Sequence, residues 1–524
     1  MHIIRKFLFS ALFIGSVLAL IRWLFSKTAG PMPVSAEPNS QDPSFDAIDA
    51  YVEEQRRRLH IPGASLAIVE GERIVHQRGF GRACPAGDAP TPQTPFFIGS
   101  LTKSITALAV MQLVEAGKVE LDAAVQHYLP WFRVADPQAS AQMTVRHLLN
   151  QTSGLPYFPS AAALADFDDS PGAIVRQVRD LSTLKIKSPV GTKFAYSNLN
   201  YNILGLIVET TSGEAYADFV QKHIFDTLEM HHSHSTTADA KRDGLAVGHR
   251  HWFSLPFPEP DIPIPAGSLP SGQLISCAED MAHYLIAHLN GGRYGDLQIL
   301  SEAGIAELQR GAAEWREMGM LVGYYGMGWV SQEIGKVRVV SHSGNVPNFS
   351  AFMGLVPEQK RGVILLLNAD PYGLPAITEE IGMGLTALLA GEQPAPIKLD
   401  FIQCIMRLLP LIPLLQVVGV FATLRVLRRW EREPAIRPGG GRLWGQHILL
   451  PLFPNLTLAG ILVYMRSTGV IYFVDLFMPD LAWIARISGG FALVWSLLRT
   501  GLILRSLLGS SAPGTSVERS RSRR

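Results

Sequence analysis

The sequence predicts an α+β fold built around an antiparallel sheet, followed by helices that cross a membrane. The middle of the chain contains both helical apolar spacing and short aliphatic runs. The last of these runs are separated only by turns with Gly, Pro or Asn, which favours antiparallel pairing. The chain is 47% hydrophobic and only 17% charged, against about 25% charged in soluble proteins. Part of it is therefore expected to lie in lipid.

The chain divides into five predicted segments. Residues 1–27 form a signal anchor or a signal peptide, and residues 28–45 form a linker rich in Pro and Ser. Residues 46–395 form one sizeable folded domain. Residues 396–508 contain three transmembrane helices, and residues 509–524 form a basic tail.

The amino-terminal segment carries an apolar stretch at residues 7–25, interrupted only by Arg22 and preceded by Arg5 and Lys6. This pattern predicts either an uncleaved anchor or a secretory signal that is removed. Both alternatives direct the folded domain to the outside of the cytoplasm.

Three carboxy-terminal stretches, residues 401–427, 448–465 and 481–504, are each long enough to cross about 30 Å of hydrocarbon. Arginines cluster between the first two stretches and again in the tail, and such clusters favour the cytoplasmic side. Four crossings then place the folded domain outside the cytoplasm in a multi-pass membrane protein. Arg486 is expected near the membrane surface, either snorkelling or paired with Asp480.

The folded domain shows its elements in order. A helix is predicted at residues 46–59, a strand hairpin at 64–69 and 73–79, and a long helix from Ser100 to near Gly117. Three consecutive antiparallel strands are predicted near its end, at residues 337–341, 349–356 and 362–367.

Charge and cysteine content exclude several classes of protein. The formal net charge is +1, so the sequence gives no basic footprint for nucleic acid. The three cysteines, Cys84, Cys277 and Cys404, lie far apart, which excludes a disulfide scaffold and a CxxC zinc module.

The first catalytic motif is Ser-x-x-Lys at the start of the long helix, in FIGSLTKS. Ser100 and Lys103 are three residues apart, so they lie on one face of the first turn. A serine hydroxyl becomes a good nucleophile when a base takes its proton, and a buried lysine can serve as that base. A second copy, Ser182 and Lys185, precedes a Pro-Gly stretch and is interpreted as a surface feature.

Two further motifs strengthen the interpretation of Ser100 and Lys103 as catalytic residues. FAYSN contains Tyr196 and Asn198, and SHSGN contains the run His342, Ser343, Gly344 and Asn345 at a strand end. With RHLLNQTSGLP at 146–156 and the segment 265–284, the chain resembles the serine hydrolases related to class C β-lactamases, which are penicillin-binding-protein-like enzymes of the peptidase S12 type. The resemblance covers about residues 46–390.

The resemblance implies a β-lactamase/transpeptidase-like α/β/α sandwich with a helical subdomain, and an acyl-enzyme mechanism. From it we expect no cofactor and no metal. It implies that Ser100 is the nucleophile, Lys103 its proton acceptor and Tyr196 the proton shuttle. Asn198 would orient Lys103 and the substrate, and the amides of Ser100 and Asn345 would form the oxyanion hole. His342 stands where relatives often carry a lysine, so with an ordinary pKa near 6.5 it would hold a substrate carboxylate weakly.

Three functions remain open at the level of sequence. The first is a membrane-anchored hydrolase of peptides or amides, including those with D-amino acids, since the layout is similar to that of prodrug-activating D-amino-acid peptidases. The second is an esterase acting on lipids or acylated cell-envelope polymers. The third is a catalytically inactive binding or signalling module.

Overall fold

The computed structural model describes residues 44–157, 168, 170, 172–261, 265–317, 320–397 and 400–508. The predicted amino-terminal crossing, nearly all of the predicted linker and the basic tail lie outside these residues.

The folded domain contains fourteen described strands, eight of which form one sheet. The strands are Gly63–Glu70 (β1), Arg73–Gly81 (β2), Phe96–Phe97 (β3), His249–Trp252 (β4), Leu255–Pro258 (β5), Ile275–Ser276 (β6), Arg293–Tyr294 (β7), Leu297–Gln298 (β8), Ala313–Glu317 (β9), Met320–Tyr325 (β10), Val330–Ile334 (β11), Val337–Val346 (β12), Phe349–Val356 (β13) and Arg361–Leu367 (β14). The large sheet has the order β2-β1-β14-β13-β12-β11-β10-β9, and every pair in it is antiparallel.

The five longest described helices of the folded domain are Phe45–Arg58 (α1), Thr102–Glu115 (α2), Asn198–Ser212 (α3), Ala278–Leu289 (α4) and Pro375–Leu389 (α5). Of these, α1, α4 and α5 pack directly on strands of the large sheet. Shorter helices are Val125–Tyr128, Pro137–Gln142, Val145–Leu149, Ala173–Arg179, Tyr216–Val220, Thr237–Arg242, Leu269–Gly272 and Glu302–Leu308. Most of the short helices between residues 125 and 220 contact α3 and form a helical subdomain with it.

The sheet separates two hydrophobic cores, because successive side chains of a strand point to opposite faces. In β1, Leu66 and Ile68 belong to the core shared with α1 and α5, whereas Ala67 and Val69 belong to the core shared with α2, α3 and α4. Helices therefore lie on both sides of an antiparallel sheet. The predicted α/β/α sandwich with a helical subdomain is confirmed.

Most predicted elements of the domain are found within one or two residues. The hairpin pairs β1 with β2, where Glu70 faces Arg73 across the turn. One strand differs: β12 was expected to end at Ser341 and continues to Val346, because it stays paired with β13 as far as Phe349. The SHSGN motif therefore lies within a strand.

The carboxy-terminal region is helical throughout most of its length. Its helices are Asp400–Leu408 (α6), Leu411–Arg432 (α7), Gly440–Arg442, Leu450–Ser467 (α8), Val470–Phe477 (α9) and Pro479–Leu508 (α10). Three stretches, Gln403–Arg432, Gly440–Ser467 and Pro479–Ser506, are long and apolar enough to cross a membrane. They overlap the three predicted transmembrane segments.

The segment between the last two spans contacts the folded domain. Its residues form helix α9. Asp480, just after it, accepts a hydrogen bond from the Phe253 amide at 2.8 Å. The expected pairing of Arg486 with Asp480 is wrong, because Arg486 forms its ion pair with Asp475 of α9.

Candidate active site

Ser100 lies on a tight turn that joins β3 to α2. Gly99 precedes it with φ +54°, a conformation that side chains with a Cβ disfavour. A Cβ on Gly99 would also collide with the amide nitrogen of Asn345. A 3₁₀ turn over Gly99–Leu101 then leads into α2, which begins at Thr102, two residues later than predicted. This geometry holds Ser100 against the end of β12.

Lys103 is fully buried beneath Ser100 and has three polar contacts. Its Nζ lies 2.9 Å from Ser100 Oγ, 2.7 Å from Asn198 Oδ1 and 2.5 Å from the carbonyl oxygen of Ser271. Asn198 is the first residue of α3, so the amino terminus of that helix brings the amide to the lysine. The Lys103 amino group thus contacts residues of both the Ser-x-x-Lys motif and the FAYSN motif.

Burial holds the pKa of Lys103 well below its usual value. A neutral amine has two N–H groups and one lone pair. Asn198 Oδ1 and the Ser271 carbonyl are acceptors only, so they take the two N–H groups. The lone pair is then left for the hydroxyl proton of Ser100, which is the arrangement that a general base requires.

Tyr196 donates its hydroxyl hydrogen bond to Ser100 Oγ at 2.9 Å. Burial first, and then the nearby Tyr325, raise the pKa of Tyr196 well above its usual range, although the bond to Ser100 works in the opposite direction. Tyr196 is therefore a protonated phenol in the resting site. It can hand a proton to a leaving group and take one back.

The carboxy-terminal half of β12 runs past Ser100. A Cβ on Gly344 would collide with the carbonyl oxygen of Ile98 and lie 3.0 Å from the Ser100 amide nitrogen. The backbones of Ser100, Gly344 and Asn345 are thus in direct contact. Ser343 precedes Gly344 in β12 and lines the large cavity described below.

His342 is buried, with 6% of its surface exposed. Its Nδ1 lies 2.6 Å from the Ser343 carbonyl oxygen, so Nδ1 carries the hydrogen, and its Nε2 lies 3.4 Å from the Tyr325 hydroxyl. Burial, and then the nearby Lys103, lower the pKa of His342 to about 3. The expectation of an ordinary pKa near 6.5 is wrong, because burial disfavours the charged form of the ring.

Asn345 presents its backbone and its side chain to different groups. Its Nδ2 donates to Asp370 Oδ1 at 2.8 Å. Asp370 is buried, and its Oδ2 has no partner among the described residues. Burial raises the pKa of Asp370 well above its usual range, which favours the neutral acid. The hydrogen bond from Asn345 lowers this pKa, but by less than burial raises it.

Sequence reasoning missed four residues of this site. The Ser271 carbonyl lies in a segment quoted for its resemblance, but a backbone contact carries no sequence signal. Asp370 follows β14 and looks like an ordinary turn residue. Phe473 and Phe477 belong to α9 and line the cavities beside Ser100.

Two cavities meet at Ser100. One has a volume of about 40 Å³ and is lined by residues that include Phe97 and Gln273. The other has a volume of about 1020 Å³ and extends between α5 and strands β10 to β12. Asn198, Asn345 and Phe477 also line both cavities. The nucleophile therefore lies where a small and a large space join.

The second Ser-x-x-Lys motif is on the surface, as predicted. Ser182 lies in the 3₁₀ turn Asp180–Thr183, and both Ser182 and Lys185 are exposed. In the part of the chain that the structure describes, no three His, Cys, Asp or Glu side chains come together as a set of metal ligands.

The chain is similar in sequence to proteins of one known family. The family model Beta-lactamase matches residues 48–387, which is more than half of the chain. Protein flp of Staphylococcus aureus strain MW2 is 27% identical over 349 residues, covering 64% of this chain and 66% of that protein. The chain thus spans just under two thirds of that relative's length. Penicillin-binding protein 4 of Amycolatopsis lactamdurans is 29% identical over 331 residues, covering 62% of this chain and 83% of that protein.

A solved structure shows the same fold. It is the octameric penicillin-binding protein homologue from Pyrococcus abyssi, which is 28% identical in sequence and superposes with a TM-score of 0.58. The superposition covers 67% of this chain and 78% of that one.

Proposed function

Because this chain belongs to the β-lactamase family, we propose that it is a membrane-anchored serine hydrolase that forms an acyl-enzyme on peptide or amide substrates, including those with D-amino acids. The observation that carries the proposal is the environment of Lys103. Its buried amino group meets Ser100 Oγ at 2.9 Å, while two pure acceptors take its remaining hydrogens. A structural lysine has no need of this arrangement, whereas a general base does.

In the first half of the reaction, Ser100 Oγ bonds to the substrate carbonyl carbon and gives its proton to Lys103 Nζ. The carbonyl electron pair moves to the oxygen, where the amides of Ser100 and Asn345 would stabilise the charge. The intermediate then collapses and the carbon–nitrogen bond breaks. The leaving nitrogen takes the hydroxyl proton of Tyr196, which Lys103 replaces.

In the second half, water adds to the acyl carbon and gives a proton to Lys103. The bond between the acyl carbon and Ser100 Oγ breaks, and Ser100 recovers that proton. The products are the amine and the carboxylic acid, and both Lys103 and Tyr196 end in their starting states. These steps need no metal or cofactor.

Asn198, His342, Ser343 and the Gly344 backbone complete the proposed substrate site. Asn198 would share its amide between Lys103 and the substrate, and Ser343 offers a hydroxyl from the cavity wall. His342 is neutral, so it supplies no charge for a substrate carboxylate. We therefore expect feeble activity on penicillins compared with neutral amides or esters.

An esterase acting on lipids or acylated envelope polymers is the second candidate function. The observation that favours it is the large cavity beside Ser100, with aromatic side chains from Tyr157, Trp315 and Phe473 in its wall. The same serine, lysine and tyrosine would cleave a carbon–oxygen bond. The inactive-module alternative is disfavoured by the intact hydrogen bonds among Ser100, Lys103 and Tyr196.

The test of this proposal is covalent labelling of the full-length protein in membranes with a fluorophosphonate. Ser100→Ala should abolish labelling, and Ser182→Ala, the matched control in the second motif, should leave it unchanged. Tyr196→Phe should lower turnover by at least about a hundredfold. A panel of p-nitrophenyl esters, D-amino-acid amides and a chromogenic cephalosporin then separates the activities. Near-normal turnover by purified Ser100→Ala protein would contradict the mechanism.

We also propose that the catalytic domain faces away from the cytoplasm. Two features support this: α9 contacts the catalytic domain through Phe473 and Tyr157, and the arginine-rich connection between α7 and α8 lies at the other end of the helices, where Arg437 binds the Ser506 carbonyl. In a variant without native cysteines, Lys185→Cys should react with an impermeant maleimide in intact cells and Gly439→Cys should not. The reverse pattern would refute this orientation.

A further inference from the structure

The large cavity beside Ser100 has one reacting end and one end near the predicted membrane surface. It begins at Ser100 and Tyr196, passes Met383 of α5, and reaches Pro396 and Ile397. Those last two residues come just before α6, which leads into the first candidate span. The cavity thus connects the nucleophile with the point where the chain enters the apolar helices.

Part of its wall comes from outside the family domain. Phe473 and Phe477 of α9 line the cavity and stack on each other with ring centroids 4.6 Å apart. The Phe473 ring also lies 6.2 Å from the Tyr157 ring of the catalytic domain. Because the family model ends at residue 387, α9 lies outside the part of the chain that the model matches, and it forms part of the cavity wall.

The charge of the lining selects against anions. No lysine or arginine is among the described residues that line the cavity, whereas Glu333, Glu379 and Glu380 are. Glu379 also contributes to raising the pKa of Tyr196, so its field reaches the reacting end. A carboxylate-bearing substrate meets repulsion here, while a neutral apolar group does not.

We propose that this cavity binds the long acyl chain of an acylated amide or ester, with the scissile carbonyl at Ser100 and α9 as one wall of the chain site. The inference rests on the proposed function and adds its substrate class. A volume of about 1020 Å³ is at the upper end of small-molecule sites, which measure about 300 to 1,000 Å³. A short peptide would leave most of this aromatic surface in contact with water.

The test compares matched short and long substrates on the full chain in nanodiscs. One pair is p-nitrophenyl acetate and octanoate, and the other is N-acetyl- and N-octanoyl-D-alanine p-nitroanilide. Each buried methylene raises affinity by up to about fourfold, so in at least one pair the longer substrate should have a kcat/KM at least about thirtyfold higher. Equal values within both pairs would overturn the inference.

Variants on α9 test the wall itself. Phe473→Ala should lower the ratio of long-chain to short-chain kcat/KM by at least about fivefold. Tyr472→Ala is the matched control, because Tyr472 is the neighbouring residue, is 50% exposed and is not part of the lining. If both variants change the ratio equally, α9 is not the wall of the chain site.

A second pair covers the case in which Phe473→Ala does not fold. Met383→Trp fills the cavity from α5 and should lower the same ratio, whereas Leu321→Trp changes an exposed side chain of β10 that is outside the lining. The controls also separate the two proposals. Without any Ser100-dependent turnover of the short substrates, the proposed function fails; with such turnover but no chain-length preference, only this inference fails.

Discussion

Asn198→Asp is expected to move the pH dependence of catalysis towards higher pH. Asn198 Oδ1 lies 2.7 Å from Lys103 Nζ, and the substitution places a carboxylate of the same shape there. Burial keeps the pKa of Lys103 well below its usual value, which makes the neutral amine available as a base. A neighbouring anion stabilises the ammonium form instead and raises that pKa.

The size of the effect follows from the separation of the two groups. An opposite charge within about 4 to 6 Å shifts a pKa by about 1 to 3 units, and one unit corresponds to about 1.36 kcal/mol. Activity requires neutral Lys103, so it is lost as pH falls through the lysine pKa. The acid limb should therefore move up by about 1 to 3 pH units, and kcat/KM on that limb should fall about 10-fold to 1,000-fold.

The assay is kcat/KM for p-nitrophenyl acetate between pH 5 and 10, because this substrate does not ionise. Asn198→Ala is the control: it removes the acceptor without adding charge, so its acid limb should not move upward. Activity of the Asn198→Asp variant should recover at high pH. An unchanged limb, or a limb shifted to lower pH, would refute the assignment of Lys103 as the base.

Two further buried groups give predictions that depend on pH. His342→Gln should leave the shape of the kcat/KM profile unchanged between pH 5.5 and 8.5, because a His342 pKa of about 3 means that the ring does not titrate there; loss of an inflection in that range would contradict this. The raised pKa keeps Asp370 protonated in the folded protein, whereas the same side chain ionises in the unfolded chain once the pH exceeds its ordinary pKa. Above that pH the free energy of unfolding therefore falls by up to about 1.36 kcal/mol per pH unit. Asp370→Asn keeps the acceptor for Asn345 and should raise the melting temperature at pH 8 but not at pH 4, whereas equal destabilisation at both values would show that the acid is ionised.

The reacting groups could be predicted from sequence because each lies at a recognisable position. Ser100 lies in the turn that leads into α2 and Lys103 in its first turn, Tyr196 precedes α3 and Asn198 begins it, and Gly344 lies in β12. Short-range spacing was enough to place the serine and lysine on one helical face. The contact between Lys103 and Asn198 spans 95 residues of sequence, and only the motif order indicated it.

The environment of these groups could not be predicted in the same way. Both faces of β12 are largely buried, so the alternation of polar and apolar residues does not reveal which side faces water. The low pKa of His342 therefore has no sequence signature. Helix α9 is eight residues long, which is too short for a clear helical period, and its contact with Tyr157 depends on the tertiary fold.

The position of α9 near the end of the chain has a consequence for biosynthesis. About 80 residues separate Ile397 from Phe477, and translation at about 5 to 20 residues per second needs on the order of ten seconds to add them. During that interval the catalytic fold can form, but the cavity lacks the wall that Phe473 and Phe477 supply. Under the proposed function, the acyl-chain site is therefore complete only after α9 has been made, and α9 follows the second apolar helix in the chain.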